Sequence, residues 1–407
     1  MRGADVIVVG AGPAGSSTAW SLARAGVEVL VLDKARFPRD KPCAEYLSPQ
    51  ASRILADMGA LDECERSGAA QLSGMTIRSP NGHYIRGDFA ATHGFHGFRD
   101  RGLALRRLIL DSILLDRARA TGASVVEGTR VTDLLRDTAG RVLGVQTLTA
   151  SGCRPEIRAR LVVGADGLRS VVARRAGLAA AFRFPRRIAL IAHYAGVEAV
   201  GAHGEMHVER DGYLGLADVG AGVTNVAVVV PAGAARGLAG DAGSFMETWI
   251  SKRRHVAHRF RRADRLETVR ATGPFAVHSR RAWTPGAALV GDAADFFDPF
   301  TGEGIYAALR GGELLASAAI DSLRGTEHGA DEALRSYHEA RRREFSGKWM
   351  VERLVGLAVA WPLLMNRVAR SLSRDKGMAD LLVGVAGDFV PAREVLRPSF
   401  LWPLLSS

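Results

Sequence analysis

The start of the chain alternates between unbroken apolar runs and a helical pattern. Residues 6–9 are a continuous β-branched run, which is typical of a strand buried on both faces of a parallel sheet. Residues 13–25 suit a helix, and the apolar residues 27–32 form the next strand. This order predicts a strand–helix–strand unit at the beginning of an α/β domain.

From about residue 185 the pattern changes to short apolar strands separated by glycine turns. The predicted strands cover residues 188–194, 205–209, 213–217 and 224–230. Their spacing predicts an antiparallel meander in a second sheet. Buried-strand character returns at residues 288–290, and helices are predicted over most of residues 303–407. We therefore expect a discontinuous first domain, because its strands recur after the meander.

A glycine-rich turn joins the first strand to the first helix. Gly10, Gly12 and Gly15 have the G-x-G-x-x-G spacing, which allows a tight turn, admits a pyrophosphate and lets the helix pack on the strand. The helix N-terminus offers N–H groups and a partial positive charge to phosphates. Asp33 ends the second strand, where its carboxylate can accept hydrogen bonds from a ribose. The predicted dinucleotide site also includes Pro13, Ala14, Lys34 and Val131.

Composition narrows the class of protein without identifying a ligand. The chain has 407 residues, 47% hydrophobic and 24% charged, which excludes a disordered chain. Its net charge of +11 comes mostly from dispersed arginines without a nucleic-acid-binding motif, so we expect no nucleic-acid partner. Three cysteines without a C-x-x-C pair, and histidines without a third ligand, predict neither a disulfide framework nor a metal site. No apolar run is long enough to cross a bilayer, and we expect a cytoplasmic protein.

Three further motifs carry a resemblance to a known family. Asp166 and Gly167 lie in a segment that resembles the DG motif of the para-hydroxybenzoate hydroxylase-like flavoproteins, and Asp292 lies in one that resembles their GD motif. Arg107 opens a segment similar to the family's R-x-x-[LF]-D helix. In that family the GD aspartate holds the ribityl chain of FAD and the arginine touches FAD. The resemblance therefore implies FAD as the cofactor.

Within this superfamily, residues 298–305 most resemble the P-x-T-G-E-G-I segment of the geranylgeranyl reductase branch. Backbone N–H groups around Gly302, Gly304 and Ile305 are then expected to face the flavin. Residues 39–49 resemble the branch's R-x-K-x-C-G-x-x-L-S-P loop, with Ala44 in place of the usual glycine.

The prenyl-pocket signature of that branch, Y-x-W-x-F-P, is incomplete here. Residues 213–218 occupy its place and have neither its tryptophan nor its proline, which favours hydroxylation over reduction of a prenyl chain. The W-x-W-x-I-P signature of the related halogenases is absent, which argues against halogenation.

Cys43, Tyr46 and Asp295 are the predicted catalytic residues. A double-bond reductase needs a proton donor opposite the flavin, and Cys43 and Tyr46 are the candidates for it. Asp295, like Glu45 and Asp298, is a candidate acid–base group. The alternative for Cys43 is a small buried packing residue, and for the acids it is a helix cap or turn residue.

The C-terminal third is apolar and aromatic, with Trp349, Trp361, Phe389, Phe400 and Trp402. It is interpreted as a lid or tunnel for a hydrophobic small molecule, in peripheral contact with a membrane surface. A packed helical subdomain explains the same composition, and the two interpretations are compatible.

The predicted fold is α/β, with a Rossmann-type FAD-binding domain of the para-hydroxybenzoate hydroxylase-like kind, an inserted antiparallel β-sheet substrate domain and a helical C-terminus. The FAD-binding domain is predicted at residues 1–71, 99–180 and 270–330, the substrate domain at 72–98 and 181–269, and the helical region at 331–407.

The predicted activity is that of an FAD-dependent oxidoreductase acting on a hydrophobic small molecule, with NAD(P)H as electron donor. The preferred reaction is monooxygenation of an aromatic or polyketide-type substrate. Reduction of an isoprenoid double bond stays open as an alternative, as does a non-catalytic protein that binds flavin or lipid. The sequence makes no prediction of the oligomeric state.

Overall fold

The structure, a computed structural model, describes residues 3–91, 93–181, 186–234 and 241–406. In chain order its strands are β1 (Ala4–Val9), β2 (Val29–Leu32), β3 (Tyr46–Leu47), β4 (Ala70–Leu72), β5 (Gly74–Arg78), β6 (Tyr84–Asp88), β7 (Gly102–Ala104), β8 (Ser124–Val126), β9 (Thr129–Arg136), β10 (Val142–Thr149), β11 (Glu156–Gly164), β12 (Ala179–Ala181), β13 (Arg187–Ala195), β14 (His203–Glu209), β15 (Gly212–Asp218), β16 (Val223–Pro231), β17 (Asp264–Arg265), β18 (Arg270–Thr272), β19 (Val277–Ser279), β20 (Trp283–Thr284), β21 (Ala287–Leu289) and β22 (Asp295–Phe296).

The helices are unevenly distributed, with most helical residues in the C-terminal third. They are α1 (Pro13–Arg24), α2 (Ala51–Asp57), α3 (Leu61–Arg66), α4 (Arg107–Ala120), α5 (Val171–Arg175), α6 (Ala242–Ser251), α7 (Arg254–Ala257), α8 (Gly304–Arg324), α9 (Glu327–Ala360), α10 (Pro362–Leu372), α11 (Lys376–Ala386), α12 (Arg393–Leu396) and α13 (Pro398–Ser406). Among the described residues, none of these helices has the length and apolarity needed to cross a membrane.

A twisted sheet built around five neighbouring parallel strands forms the first core. Its order is β20-β21-β11-β1-β2-β8, with β9 and β10 added antiparallel through β11. Strand β1 pairs in parallel with β11 and β2, so Val6, Ile7 and Val8 are fully buried on both faces. This burial explains the unbroken apolar run at the start of the chain and confirms the α/β fold class. Strand β21 joins the sheet beside β11 although it lies far along the chain.

The second sheet is largely antiparallel, and β14, β15 and β16 form a meander in it. The first strand of the predicted meander, β13, pairs with β16 and not with β14. The order of this sheet is β17-β13-β16-β15-β14-β5-β6, with β18 also on β13. One face packs on α6, and the other faces the C-terminal helices. Because side chains alternate along a strand, Ala189, Ile191 and His193 of β13 share the face opposite α6. That face forms one wall of the candidate site.

Candidate functional site

Two adjoining clefts lie at the carboxyl ends of the parallel strands, which is where ligands bind in open α/β sheets. The first, here called the dinucleotide cleft, is lined by predicted cofactor residues from several separate segments: Gly10, Gly12, Asp33, Lys34, Val131, Asp166 and Gly167. The second, the central cleft, is lined by Gly12, Pro13, Ala14, Cys43, Tyr46, Arg107, Gly167, Asp292, Gly302, Gly304 and Ile305. The structure therefore brings together nearly all the residues that the motifs singled out.

The glycine loop has no room for side chains at two of its three glycines. A Cβ on Gly15 would lie 1.8 Å from the carbonyl oxygen of Gly10, and one on Gly10, whose φ is +100°, would lie 2.5 Å from the carbonyl oxygen of Ala165. At Gly12 the nearest atoms are guanidinium nitrogens of Arg39 and Arg107, at 3.5 and 3.7 Å. Gly12 thus lines both clefts and has room for a small side chain, whereas Gly15 packs α1 on the strand.

The start of α1 fits a pyrophosphate. Gly12 caps the helix without a side chain, so no capping group covers the N–H donors of the first turn. The helix dipole and the two guanidinium groups beside Gly12 both favour negative charge at this position. These residues supply the donors and the positive charge that the phosphates of a dinucleotide such as FAD require.

Asp33 ties the glycine loop to the end of β2. Its Oδ2 accepts a hydrogen bond from the Ala11 N–H at 2.8 Å, and its Oδ1 accepts one from the Ala35 N–H, also at 2.8 Å. The carboxylate is 7% exposed and lines the dinucleotide cleft. Asp33 therefore fixes the loop and lines the cleft in which the sequence predicts a ribose.

Arg107 lies at the start of α4 in a buried ion pair. Its Nε and a terminal guanidinium nitrogen donate to the two oxygens of Asp111 at 2.7 and 2.8 Å, and Arg39 approaches the same carboxylate at 3.0 Å. Such bidentate geometry holds the guanidinium plane in one orientation. The R-x-x-x-D spacing at i and i+4 is what places both groups on one helix face.

The two other motif aspartates also have protein partners. Asp166 accepts hydrogen bonds from the Ser170 hydroxyl and the Val171 N–H, each at 2.6 Å, and so supports the start of α5. Asp292 lies 3.5 Å from the Lys41 ammonium at the edge of the central cleft. A cofactor contact and the support of a turn are both compatible with where these two aspartates lie.

A left-handed glycine brings the loop before α8 against Tyr46. Gly302 has a φ of +74°, and a Cβ there would lie 2.7 Å from Cδ1 of Tyr46. Asp298 holds the same loop, because its carboxylate accepts hydrogen bonds from the Tyr213 hydroxyl at 2.8 Å and the Phe300 N–H at 3.1 Å. Arg187 completes this buried group with an ion pair to Asp298 at 2.5 Å. Asp298 therefore positions the loop.

Asp295 lies apart from the other predicted catalytic residues. It forms a buried ion pair with Arg341 of α9 and lines a small polar pocket outside the central cleft. Cys43 and Tyr46 do line the central cleft. The structure pairs the Asp295 carboxylate with Arg341 outside the central cleft, and a catalytic role for this residue stays a prediction.

Two apolar cavities extend from the central cleft. The sheet cavity is bounded by Tyr46, Met75, Ala189, Gly215, Leu216, Ala227 and Phe300, and it shares Tyr46 and Ala189 with the central cleft. The helical cavity lies among α9, α10 and α11, is lined by Val351, Val355, Ala358, Met365, Val368 and Leu372, and shares Met75 and Phe300 with the sheet cavity. Adjacent cavities thus have walls in common from the glycine loop to the C-terminal helices.

The sequence did not predict a hydrogen-bonded group behind Cys43. Glu45 is fully buried and has a φ of +62°, which is uncommon for a residue other than glycine. Its Oε2 lies 2.6 Å from Nε2 of His193 and accepts a hydrogen bond from the Asn225 amide at 2.9 Å. The Asn225 amide also donates to the Cys43 carbonyl at 2.8 Å. One sequence signal was present, because His193 is in phase with Ala189 and Ile191 on the inward face of its strand.

Comparison with protein families gives a match over most of the chain. Residues 3–350 match the family described as FAD binding domain. This range contains every segment that lines the dinucleotide cleft and the central cleft.

Curated relatives of full length are named as reductases. The chain is 29% identical to digeranylgeranylglycerophospholipid reductase 2 of Methanopyrus kandleri, over 98% of this chain and 97% of that protein. It is 28% identical to menaquinone reductase of Mycolicibacterium smegmatis, over 95% of this chain and 92% of that protein.

Solved structures share the fold across the whole chain. A triple mutant of the flavin-dependent brominase Bmp2 superposes with a TM-score of 0.81 at 20% identity, covering 98% of this chain and 99% of that one. A geranylgeranyl bacteriochlorophyll reductase-like protein from Thermoplasma acidophilum gives 0.75 at 21% identity, covering 100% and 96%. At sequence identities this low, the similarity to these structures shows a shared fold and nothing about function.

Proposed function

Since the chain belongs to the FAD binding domain family and is an FAD-dependent oxidoreductase, we propose that it saturates carbon–carbon double bonds in a long isoprenoid chain. The relatives named above support this choice, because one is named a reductase of a lipid with geranylgeranyl chains. The observation that carries the proposal is the apolar path from the central cleft to the C-terminal helices.

The path suits a long, flexible hydrocarbon better than a compact aromatic ring. Beyond the central cleft it runs along the sheet cavity and then along the helical cavity, which share Met75 and Phe300. Their walls are mostly aliphatic and aromatic, and burying each methylene of a ligand there contributes about 0.8 kcal/mol. An isoprenoid chain therefore gains binding free energy along its whole length in such a path.

The altered prenyl-pocket signature is compatible with this function. Gly215 stands at the tryptophan position of the signature and lines the sheet cavity with Leu216 and Ala217. Tyr213 is retained and donates its hydroxyl to Asp298. The sequence argument against prenyl reduction rested on the missing side chain, yet its loss leaves a wider cavity in the same place.

Bound FAD would supply hydride chemistry at the central cleft. The chain itself orients both partners there. The glycine loop, Asp33 and Arg107 fix one end of the cofactor site, and the loop at Gly302 lies between that site and the sheet cavity. Apolar walls exclude water, which protects the reduced cofactor from side reactions.

We take NAD(P)H as the proposed electron donor, reacting with FAD from the solvent side of the central cleft. Anaerobic addition of NADH or NADPH to the FAD-loaded protein should bleach the visible flavin absorbance. If neither nucleotide reduces the flavin while dithionite does, a partner reductase must supply the electrons and this part of the proposal fails.

The reaction is tested by mixing chemically reduced, FAD-loaded protein with geranylgeraniol in detergent without oxygen. A reductase reoxidises its flavin as the alkene is consumed, and mass spectrometry shows two added hydrogens per saturated bond. Rapid turnover only with oxygen and a phenolic ligand, giving a hydroxylated product, would overturn the proposal in favour of the monooxygenase. Flavin that is not reoxidised by any ligand would favour the non-catalytic alternative.

A variant in the helical cavity separates chain-length selection from chemistry. Ala358→Phe places a ring in that cavity, whereas Ser346→Phe adds the same ring at an exposed position of the same helix. We expect Ala358→Phe to lower the rate with geranylgeraniol at least tenfold and to leave the shorter alcohol geraniol within twofold. An equal loss for both alcohols would contradict the path through α9 and α10.

A further inference from the structure

Three titratable side chains from distant parts of the sequence form one line of hydrogen bonds. Oε2 of Glu45 lies 2.6 Å from Nε2 of His193, and Nδ1 of His193 lies 2.6 Å from Oε1 of Glu267. Both imidazole nitrogens are therefore occupied by carboxylates, one on each side of the ring. Contacts this short are typical of hydrogen bonds with a charged partner.

The line runs from the protein surface to the central cleft. The side chain of Glu267 is 20% exposed, that of His193 is 3% exposed and that of Glu45 is 1% exposed. Glu45 lines the central cleft together with Cys43 and Tyr46. A proton that enters at Glu267 thus has hydrogen-bonded positions all the way to the wall of the site.

Neighbouring groups hold this line in place. Arg106 donates to Glu267 at 3.1 Å and approaches Asp40 at 3.5 Å, and Arg270 lies 3.6 Å from Asp40. At the inner end, Oε1 of Glu45 accepts the Arg107 backbone N–H at 2.7 Å. Each carboxylate therefore has a fixed orientation, and its oxygen nearest the ring is directed at His193.

A metal ion explains the arrangement less well. Ligand atoms of Asp40, His193 and Glu267 lie within 4.8 Å of one another. Yet the guanidinium of Arg106 contacts both acids, and the ring nitrogens of His193 already have carboxylate partners. A cation would have to displace a positive side chain from its own ligands.

We propose that Glu267, His193 and Glu45 form a proton relay that supplies protons from solvent to the central cleft. This inference rests on the proposed function, in which each saturated double bond gains a hydride on one carbon and a proton on the other. In the ion pair Glu45 is the carboxylate and His193 is the imidazolium. The Nε2–H bond of His193 breaks as an Oε2–H bond forms on Glu45, and that O–H bond breaks in turn as the proton passes to the substrate carbon. Solvent water then returns one proton to the imidazole by way of Glu267.

The charge state of the ring suits this role. Burial disfavours the imidazolium, but the hydrogen bond and charge of Glu45, with the hydrogen bond of Glu267, outweigh burial and raise the pKa of His193 above its usual value. A raised pKa extends the imidazolium form to higher pH. The ring loses its proton as the pH rises through this raised pKa. Turnover limited by the relay should fall in the same pH interval.

The test uses His193→Gln and Glu267→Gln, with His203→Gln as the matched control. Like His193, His203 is paired with a carboxylate, Asp88, at 2.7 Å, although it is only half-buried. It lines neither the central cleft nor the sheet cavity. Histidine side chains are titrated by NMR in the cofactor-free and FAD-loaded protein. Proton uptake on photoreduction of bound FAD is followed with an indicator dye, and single-turnover reduction of geranylgeraniol gives the third readout.

We expect the His193 titration midpoint to lie above about 6.5, the usual histidine value, and to drop in Glu267→Gln. We expect His193→Gln to slow proton uptake and alkene reduction by about 10²-fold or more, the range for general acid catalysis, and to abolish the pH dependence, with FAD affinity within twofold. His203→Gln should match the unaltered protein in every readout.

Several results would overturn the relay. They are a His193 midpoint below the usual value, a midpoint insensitive to Glu267→Gln, or proton uptake in His193→Gln as fast as in His203→Gln. If the unaltered protein does not reduce geranylgeraniol, the proposed function fails, and the NMR titration and proton uptake still decide the relay. Loss of proton uptake on adding EDTA would point to the metal ion instead.

Discussion

The Tyr46 hydroxyl donates a hydrogen bond to the backbone carbonyl of Ala386, 3.3 Å away at the end of α11. The hydroxyl is thus directed at the C-terminal helices, while the ring lines the central cleft and the sheet cavity. Burial, reinforced by the charge of Glu303, raises the pKa of Tyr46 well above its ordinary value. The Tyr46 ring therefore lines the site, and its hydroxyl connects the site to α11 by a hydrogen bond.

Replacing Tyr46 with phenylalanine tests this assignment. Tyr46→Phe keeps the ring and removes one buried hydrogen bond, so we expect turnover within twofold and a stability loss of about 1 kcal/mol. Steady-state kinetics and thermal unfolding measure the two effects. A tenfold fall in turnover with FAD binding intact would instead support Tyr46 as a proton donor, as the sequence suggested.

Two glycines of the same loop should respond differently to alanine. Gly12→Ala places its methyl group beside Arg39 and Arg107 without a severe contact, so we expect a folded protein that binds FAD at least tenfold more weakly. Gly15→Ala requires 1.8 Å between its Cβ and the Gly10 carbonyl oxygen, so we expect loss of the folded protein itself.

Circular dichroism and flavin titration separate these two effects. Gly201→Ala is the control, because Gly201 is exposed with nothing within 4 Å of the added Cβ. Full FAD affinity in Gly12→Ala would show that the pyrophosphate lies elsewhere.

The three cysteines should react with iodoacetamide in a fixed order. Cys153 is exposed and should react first, and Cys43 is half-buried in the central cleft and should become slower on FAD binding. Burial and then the charge of Glu63 raise the pKa of Cys64 to about 12. Only the thiolate reacts, so Cys64 should be labelled only after unfolding.

Mass spectrometry of tryptic peptides over a time course gives the order of labelling. Labelling in urea provides the reference for full reactivity of all three thiols. Equal labelling of Cys43 with and without FAD would contradict its position in the cleft.

Acid should destabilise the fold in part through Glu205. Burial opposes its ionisation, but hydrogen bonds from Arg259 and His207 prevail and lower the pKa of Glu205 to about 2. A carboxyl whose folded pKa lies below its unfolded value of about 4.3 adds stability that is complete at higher pH. That contribution, about 3 kcal/mol at full effect, is lost as the pH falls from 5 toward 2.

Urea unfolding of Glu205→Gln at several pH values should therefore show a flatter dependence below pH 5. Glu209→Gln is the comparison. Burial raises the pKa of Glu209, so removing this carboxyl should make the free energy of unfolding depend more steeply on pH. An unchanged slope in Glu205→Gln would show that Arg259 does not stabilise the ionised form.

Exposed apolar side chains near the helical cavity predict contact with a lipid surface. Leu363 is 86% exposed, Trp402 73% and Trp361 57%, and Arg367 and Arg370 are exposed on the same helix as Leu363. Apolar and basic groups together favour anionic interfaces. We expect flotation with anionic liposomes, reduced at least threefold by Leu363→Ser combined with Trp361→Ala. Leu266→Ser, at another exposed leucine, should leave flotation unchanged.

Local sequence patterns singled out many of the residues that line the dinucleotide cleft and the central cleft. The glycine loop, Asp33 and Arg107 each depend on spacing within one element or one turn, and such spacing is visible in the sequence. The β-branched run of β1 predicted a strand buried on both faces for the same reason.

The group around His193 could not be predicted in this way. Glu45, His193, Asn225 and Glu267 lie on separate segments, and only the pairing of β13 with β16 brings two of them side by side, as His193 opposite Asn225. Strand register and the left-handed conformation of Glu45 depend on tertiary contacts that no local pattern specifies. The ion pair between Asp295 and Arg341 of α9 is another contact between distant segments that no local pattern specifies.

The late strand β21 has a consequence for biosynthesis. The nascent chain exposes β1, α1 and β2 first, but the sheet edge beside β11 stays unfilled until Ala287–Leu289 emerge from the ribosome. At roughly 5–20 residues per second, the early strands wait on the order of tens of seconds. Asp292 and the loop at Gly302 arrive later still, so we expect FAD to load only after this loop has been synthesised. Truncated chains should therefore leave the ribosome without cofactor and with an open sheet edge, the form that chaperones and proteases recognise.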